Sequence, residues 1–215
     1  MHIPDGLLST PVWATTDLLA IAALVGITRR SQQTFNEKTI PLTGIMCAFI
    51  FAAQMINFPV MAGTSGHLLG GVLAAVFLGP WVGGLVLSLV LIVQCFLFQD
   101  GGLYALGANI LNMAVVGVGV GYIVFKIGTS LFSDKAGFFF SVSVASWVSV
   151  VAAAAVCSVE LGLSGTYPLG WTLAAMLPIH ALIGIGEALI STLIVSSVLG
   201  LRPDLLPYFP QRVTT

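Results

Sequence analysis

The chain has 215 residues, of which 58% are hydrophobic and only 7% are charged, and its formal net charge is −1. An ordinary soluble domain is about 25% charged, so this composition excludes a soluble globular protein, and the lack of a basic surplus excludes a nucleic-acid-binding one. The cysteines Cys47, Cys95 and Cys157 lie far apart in apolar runs, which excludes a CxxC zinc or redox motif. Because no basic and apolar leader opens the sequence at Met1, we expect no cleaved signal peptide.

Apolar runs bounded by proline, glycine and charged residues predict an all-α integral membrane protein, a polytopic bundle of seven transmembrane helices. In chain order the runs cover about residues 12–28, 41–57, 67–79, 83–98, 104–125, 137–159 and 172–199. A crossing needs about 20 apolar residues. The third run, which ends at Gly79-Pro80, is therefore short, and its crossing needs an independent test.

The positions of the basic residues supply that test. If all seven runs cross, every lysine and arginine falls on one side of the membrane, whereas without the third crossing they divide three against four. The positive-inside rule favours the first arrangement and makes that side cytoplasmic. The N-terminus, the loop at 58–66 and His67 are then extracytoplasmic, and the C-terminus is cytoplasmic. The basic residues are Arg29, Arg30, Lys38, Lys126, Lys135, Arg202 and Arg212.

The N-terminus carries the nitrogen atoms of a metal chelate. A free amine on Met1 followed by His2 offers that amine, the amide nitrogen of His2 once it is deprotonated, and the imidazole Nδ1. Four nitrogens in a plane suit Ni(II) or Cu(II), and His67, which follows the loop Gly63–Gly66 on the same predicted side, can supply the fourth. The alternative interpretation is that His2 is an exposed terminal residue and His67 an interfacial hydrogen-bonding residue.

Several segments resemble the CbiM/NikM family, the substrate-specific membrane components of energy-coupling factor transporters for cobalt and nickel. The segments are MHIPDG at 1–6, QMINFPV at 54–60, GTSGHLLGG at 63–71 and PIHALIGIGE at 178–187, so the resemblance covers most of the chain. It implies a seven-helix bundle whose N-terminal segment completes the metal site. The implied ligands are the amine of Met1, the amide and imidazole nitrogens of His2, and the imidazole of His67.

The sequence contains no Gly-x-x-x-x-Gly-Lys-Ser/Thr phosphate loop, so the chain cannot hydrolyse ATP itself. The resemblance implies partners that do: a transmembrane coupling protein, a cytoplasmic ATPase pair and often a small accessory membrane protein. The expected function is capture of Ni2+ or Co2+ outside the cell, as transported substrate, and its release inside. A planar four-nitrogen site favours nickel. We expect one domain, residues 1–215, in the cell membrane, with a metal-binding segment at 1–11, the bundle at 12–200 and a cytoplasmic tail at 201–215.

Polar residues near His67 have two interpretations. Asn57, Thr64 and Ser65 are expected either to orient the His67 ring and close the pocket, since a ligating histidine needs a partner on its other nitrogen, or to cap the loop.

His180 and Glu187 lie seven residues apart on one predicted helix and face roughly the same way. Ionisable groups inside a membrane are paired or functional, so the two residues predict a structural polar network or an ion route. Two further functions stay open: a membrane enzyme that uses His180 and Glu187 as acid and base, and a self-sufficient secondary metal transporter. The expected network partners are Gln94, Asn109 and Asn112.

Overall fold

The computed structural model describes residues 1–60 and 63–209, so Arg212 and the end of the predicted tail lie outside the described residues. The helices are α1 (Thr10–Gln32), α2 (Thr39–Met55), α3 (Gly71–Phe98), α4 (Leu106–Ile110), α5 (Val118–Leu131), α6 (Lys135–Leu163) and α7 (Leu169–Leu201). A π-helical stretch, Leu111–Gly117, joins α4 to α5, and a 3-10 turn, Pro203–Leu205, follows α7. Two short antiparallel strands, β1 (Phe58–Pro59) and β2 (Ser65–Gly66), close the loop between α2 and α3.

Five helical segments within the described ranges are long and apolar enough to cross a membrane, and they involve α1, α3, the α4 to α5 unit, α6 and α7. The α2 helix is also apolar but has only 17 residues, which corresponds to a length of about 26 Å. Large hydrophobic side chains project outward from these helices, among them Leu18, Leu97 and Leu193. The chain is a multi-pass protein of the cell membrane, and the prediction of an all-helical membrane fold is confirmed.

The α3 helix is interrupted where the sequence predicted a break. Gly79 has φ 80° and ψ 166°, and Pro80 follows it, so the helical hydrogen bonds stop here. A Cβ atom built on Gly83 would lie 3.1 Å from the backbone nitrogen of Ala75, although residues eight apart in a straight helix are separated by about 12 Å. The helix therefore folds back on itself, with a short arm at residues 71–78 and a long arm at residues 80–98.

The short arm begins four residues later than the predicted third helix. Residues 67–70 are not helical, and Gly70 has φ 77°, a left-handed conformation that favours glycine. The backbone N–H groups of Leu69 and Gly70 donate to the carboxylate of Glu187 in α7 at 2.6 and 2.5 Å. Because this carboxylate satisfies donors that would otherwise be orphaned in an apolar interior, the segment stays non-helical. His67 therefore precedes the helix instead of starting it.

Basic residues gather beside the turn between the two arms. A Cβ atom built on Gly79 would lie 3.2 Å from the Tyr208 hydroxyl, and Lys126 Nζ lies 5.3 Å from the centre of the Tyr208 ring. The guanidinium of Arg30 lies 5.6 Å from the centre of the Trp81 ring. Arg30 and Lys126, from α1 and α5, thus share the end of the bundle at which the α3 arms meet.

Candidate metal centre

The N-terminal segment is inserted into the bundle. Met1 and Ile3 are 0% exposed, and His2 is 3% exposed. The backbone N–H of Ile3 donates to Asn109 Oδ1 at 2.8 Å, and the Ile3 carbonyl accepts from Asn109 Nδ2 at 3.1 Å. The backbone N–H of Gly102 donates to the same carbonyl at 2.9 Å. The Asn109 amide thus pairs with the segment as a neighbouring strand would, and it fixes the depth to which the terminus enters.

Two loops hold the segment where it leaves the bundle. The Asp5 carboxylate accepts hydrogen bonds from the backbone N–H groups of Leu103 at 2.9 Å and Tyr104 at 2.8 Å. The Leu7 carbonyl accepts from the hydroxyl of Thr166, in the loop between α6 and α7. These contacts leave the first three residues little freedom to withdraw while the loops stay in place.

Three nitrogen atoms of the predicted chelate surround the hydroxyl of Ser65. Its Oγ lies 3.3 Å from the Met1 amine, 3.1 Å from the backbone nitrogen of His2 and 3.3 Å from Nδ1 of His2. The Met1 amine also donates to the Ser65 carbonyl. All three nitrogens belong to two consecutive residues, so the segment offers them together to a single ion, to which bonds of about 2 Å would form.

The ring of His2 is held in the tautomer that a chelate requires. Its Nε2 lies 3.1 Å from Oε1 of Gln94. Because an amide oxygen only accepts hydrogen bonds, Nε2 carries the proton and Nδ1 keeps its lone pair. Asp100 Oδ1 lies 3.3 Å from this Nδ1, which brings a carboxylate to the edge of the candidate site.

His67 is 2% exposed and presents Nε2 as a free acceptor. Its Nδ1 donates to the Leu68 carbonyl at 2.8 Å, so the neutral ring keeps its lone pair on Nε2. Among residues 1–60 and 63–209, no group makes a hydrogen bond to this buried atom. The His67 and His2 rings are stacked, with 4.6 Å between their centroids. A buried acceptor without a partner costs about 1–3 kcal/mol, and a bound metal ion would remove that cost.

Burial keeps the candidate ligands unprotonated. It lowers the pKa of the Met1 amine from 8.0 to about 5. Burial, and secondly the neighbouring terminal amine, lower the pKa of His2 from 6.5 to about 3. The same two causes hold the pKa of His67 well below 6.5, with smaller effects from His2 and His180. At neutral pH the amine and both rings are neutral, so they can bind a metal ion without first losing a proton.

The predicted pocket residues contact other groups than the His67 ring. Ser65 touches the terminal amine and His2, as described above. Thr64 Oγ1 donates to Met176 Sδ at 3.1 Å, and Asn57 Nδ2 donates to Asp100 Oδ2 at 2.9 Å. In the described contacts none of the three orients His67, and the Leu68 carbonyl has that role instead.

The predicted network around His180 and Glu187 is wrong in its partners. Nδ1 of His180 donates to the Met176 carbonyl at 2.8 Å, and Glu187 binds the backbone of the loop after His67. Asn112 donates instead to Glu160, at 2.6 Å. Gln94 and Asn109 are occupied by the inserted N-terminal segment, which offers them unpaired backbone and ring groups. Seven residues of helix also separate His180 and Glu187 by about 10 Å along the axis, so they do not form an acid–base pair.

Sequence reasoning missed Asp100 and gave Gln94 and Asn109 a different role. The available signal was that an amide inside an apolar run must find a partner, but the pattern does not say which partner.

Within the described ranges, no three side chains of His, Cys, Asp or Glu form a group that could hold a metal ion. The candidate centre is not such a group, because two of its four donors are the Met1 amine and the His2 backbone nitrogen, which are not side chains.

Comparisons with known proteins agree with this architecture. The family described as the cobalt uptake substrate-specific transmembrane region, CbiM, matches residues 2–205. A fused protein of Archaeoglobus fulgidus, provisionally named as the nickel transport protein NikMN, is 40% identical over 210 residues, which are 96% of this chain and 68% of that protein. The cobalt transport protein CbiM of Sorangium cellulosum is 32% identical over 219 residues, 96% of this chain and 94% of that protein.

Two crystal structures share the fold. One, described as a transition metal transporter, is 33% identical and covers 100% of both chains with a TM-score of 0.88. The other, a truncated transition metal transporter, is 34% identical and covers 93% of this chain and 99% of that one with a TM-score of 0.87. The chain therefore belongs to the CbiM family.

Proposed function

We propose that this chain is the metal-binding membrane component of an ATP-driven energy-coupling factor importer, and that its transported substrate is Ni2+ or Co2+. The ligands are the amine of Met1, the backbone nitrogen and Nδ1 of His2, and Nε2 of His67. The names of the relatives, which are nickel and cobalt transport proteins, support the substrate class.

The main support for the proposal is that these four nitrogens belong to groups that lie close together in the structure. Three of them lie within 3.1–3.3 Å of the Ser65 hydroxyl, and the fourth belongs to a buried ring stacked on His2 at 4.6 Å. Hydrogen bonds to Gln94 and Leu68 leave the lone pairs on His2 Nδ1 and His67 Nε2. The set is therefore oriented and deprotonated before the ion arrives, apart from the amide proton.

Charge balance gives Asp100 a role beside the ligands. A divalent ion bound by one deprotonated amide and three neutral nitrogens carries one net positive charge. An uncompensated charge in a buried site is costly, and the Asp100 carboxylate lies 3.3 Å from His2 Nδ1. We therefore propose that the Asp100 carboxylate compensates that positive charge.

In the proposed topology seven segments cross the membrane, with the two arms of α3 counted separately. The short arm is about 12 Å long, and the non-helical residues before it cover the remaining depth. The N-terminus and His67 lie at the extracytoplasmic end of the bundle, and the C-terminus lies in the cytoplasm. The grouping of Arg30 and Lys126 beside the Gly79 turn supports this orientation. Residues 1–11 are the metal-binding segment, residues 12–200 the bundle and residues 201–215 the tail.

Energy for uptake comes from partner subunits in this proposal, because the sequence has no phosphate loop. The partners are a transmembrane coupling protein, a cytoplasmic ATPase pair and a small accessory membrane protein. A self-sufficient secondary transporter is the alternative. Membrane vesicles that contain only this chain distinguish the two, since concentrative nickel uptake by those vesicles would contradict the need for ATPases.

Nickel is the favoured substrate, because four nitrogens in a plane suit Ni(II). The first test is the metal content of the purified chain, measured for the wild type, His67→Ala and Ser191→Ala, a control at another buried residue. We expect one nickel ion per chain in the wild type and the control, and at least a hundredfold weaker binding in His67→Ala. Equal nickel binding by wild type and His67→Ala would contradict the site.

A further inference from the structure

The non-helical segment that carries His67 runs alongside α7 in a defined register. Thr64 contacts Met176 at 3.1 Å, and Leu69 contacts Glu187 at 2.6 Å. From 176 to 187 the helix rises by about 16 Å, which matches the length that five non-helical residues can span. Because His67 lies between the two loop contacts and His180 between the two helix contacts, the register brings the two histidines towards each other.

His180 is prepared as a ligand in the same way as His67. Its side chain is 0% exposed, and its Nδ1 donates to the Met176 carbonyl at 2.8 Å, so the neutral ring keeps its lone pair on Nε2. This Nε2 is buried and makes no hydrogen bond within the part of the chain that the structure describes.

The inward face of α7 offers few other acceptors at this depth. The buried residues of the helix recur at a helical spacing: Thr172, Ala175, Met176, His180, Gly184, Glu187, Ser191 and Val195. Glu187 is already engaged by two backbone N–H groups, and the Met176 sulfur accepts from Thr64. Of these groups, His180 alone combines a nitrogen lone pair with the absence of a partner in the described contacts.

We infer that His180 Nε2 is a second, transient ligand, which takes the metal ion over from the N-terminal chelate while His67 keeps hold of it. This inference rests on the proposed function. In the exchange one bond from the ion to His180 forms, the bonds to the Met1 amine and to both nitrogens of His2 break, and two water molecules take the other vacated positions. One of these water molecules gives a proton to the amide nitrogen of His2 as that nitrogen leaves, and it stays on the ion as hydroxide. The same exchange in reverse delivers an arriving ion from His67 and His180 to the chelate, so the ion is held by imidazole both as it enters and as it leaves the four-nitrogen site.

A transient ligand has a kinetic signature that a structural residue lacks. It lowers the barrier for both entry and exit of the ion and leaves the resting four-nitrogen site unchanged. Its removal must therefore slow association and dissociation by the same factor, with an unaltered Kd. A residue that only supports the packing would change Kd or the absorption spectrum of the bound ion.

The test is stopped-flow nickel binding and chelator-driven release with the full chain in lipid nanodiscs. His180→Asn is the informative variant, because the Asn amide can still donate to the Met176 carbonyl but places no lone pair at the Nε2 position. His180→Gln, which returns a polar atom near that position, is the rescue variant. Ser191→Ala, a buried residue on the same face, is the matched control.

We expect His180→Asn to slow both rates at least tenfold, with Kd within twofold of the wild type and an unchanged spectrum. We expect His180→Gln to recover part of the rate and Ser191→Ala to match the wild type. Unchanged rates in His180→Asn, or faster release with a raised Kd, would overturn the inference and leave the proposed function intact. Failure of the wild-type chain to bind nickel would instead overturn the proposed function.

Discussion

The carboxylate of Glu187 lies 2.6 Å from the backbone nitrogen of Leu69, two residues beyond His67. A second carboxylate oxygen accepts from Gly70 at 2.5 Å, immediately before the short arm of α3. The same acidic side chain therefore binds the N–H groups of the two residues that precede a buried helix, close to the helix N-terminus, where negative charge is stabilising. It also anchors the loop that carries a candidate metal ligand.

Glu187→Gln is expected to weaken nickel binding about tenfold, because the glutamine amide offers one acceptor and turns a second donor towards an N–H group. The position of His67 then becomes less defined. Calorimetric titration of the full chain measures the change, with Ser191→Ala as the control from the same helix face. An affinity for nickel within twofold of the wild type would show that the loop does not depend on this carboxylate.

Asn109→Leu removes both hydrogen bonds to the Ile3 backbone. We expect faster hydrogen exchange at the Ile3 amide and about tenfold weaker nickel binding, since a single buried hydrogen bond contributes on the order of 1 kcal/mol. Exchange measured by mass spectrometry checks the first effect and titration the second. The control is Asn36→Ala, an exposed asparagine between α1 and α2. Unchanged exchange at Ile3 would mean that other contacts hold the segment.

The sequence predicted most helices well because a membrane requires long apolar runs, and it predicted the break at Gly79-Pro80 because these residues interrupt helical hydrogen bonds. It misplaced the start of the helix before this break, which begins at Gly71 instead of His67. The reason is that the acceptor for Leu69 is Glu187, 118 residues away, and no local pattern contains that information.

The candidate site, like the fold, could be predicted from the sequence only in part. Met1, His2 and His67 could be named from chemistry and from resemblance to the family. Their supporting residues could not, since Gln94 and Asn109 bind the N-terminal segment only because that segment is inserted between the helices. Before the insertion is known, both amides fit a network inside the bundle equally well.

Asp100→Asn keeps the shape of the side chain and removes its charge. If Asp100 balances the net positive charge of the bound centre, the affinity for nickel falls about tenfold, while Asn57 still has an oxygen to donate to. Titration of the variant beside Asn57→Ala separates loss of charge from loss of the hydrogen bond. A wild-type affinity in Asp100→Asn would remove Asp100 from the site.

The number of protons released when nickel binds tests whether the amine and the two imidazole rings are already unprotonated in the free chain. With the pKa of the Met1 amine lowered by burial to about 5 and that of His2 to about 3, only the amide proton remains to be lost at neutral pH. We expect about one proton per nickel ion, so that the affinity falls roughly tenfold for each unit by which pH is lowered between about 8 and 6. Calorimetry in buffers of different ionisation enthalpy counts the protons. Two or more would mean that the amine or a ring is protonated beforehand.

The N-terminal amine is the most direct test of the central claim. One glycine added before Met1 converts that amine into an amide, changes the chelate rings and extends a residue that is 0% exposed. The measurement is the nickel affinity of this extended chain, compared with a chain that carries the same glycine at its C-terminus. We predict that the N-terminal addition abolishes high-affinity binding and that the C-terminal addition does not. Undiminished affinity after the N-terminal addition would contradict the chelate.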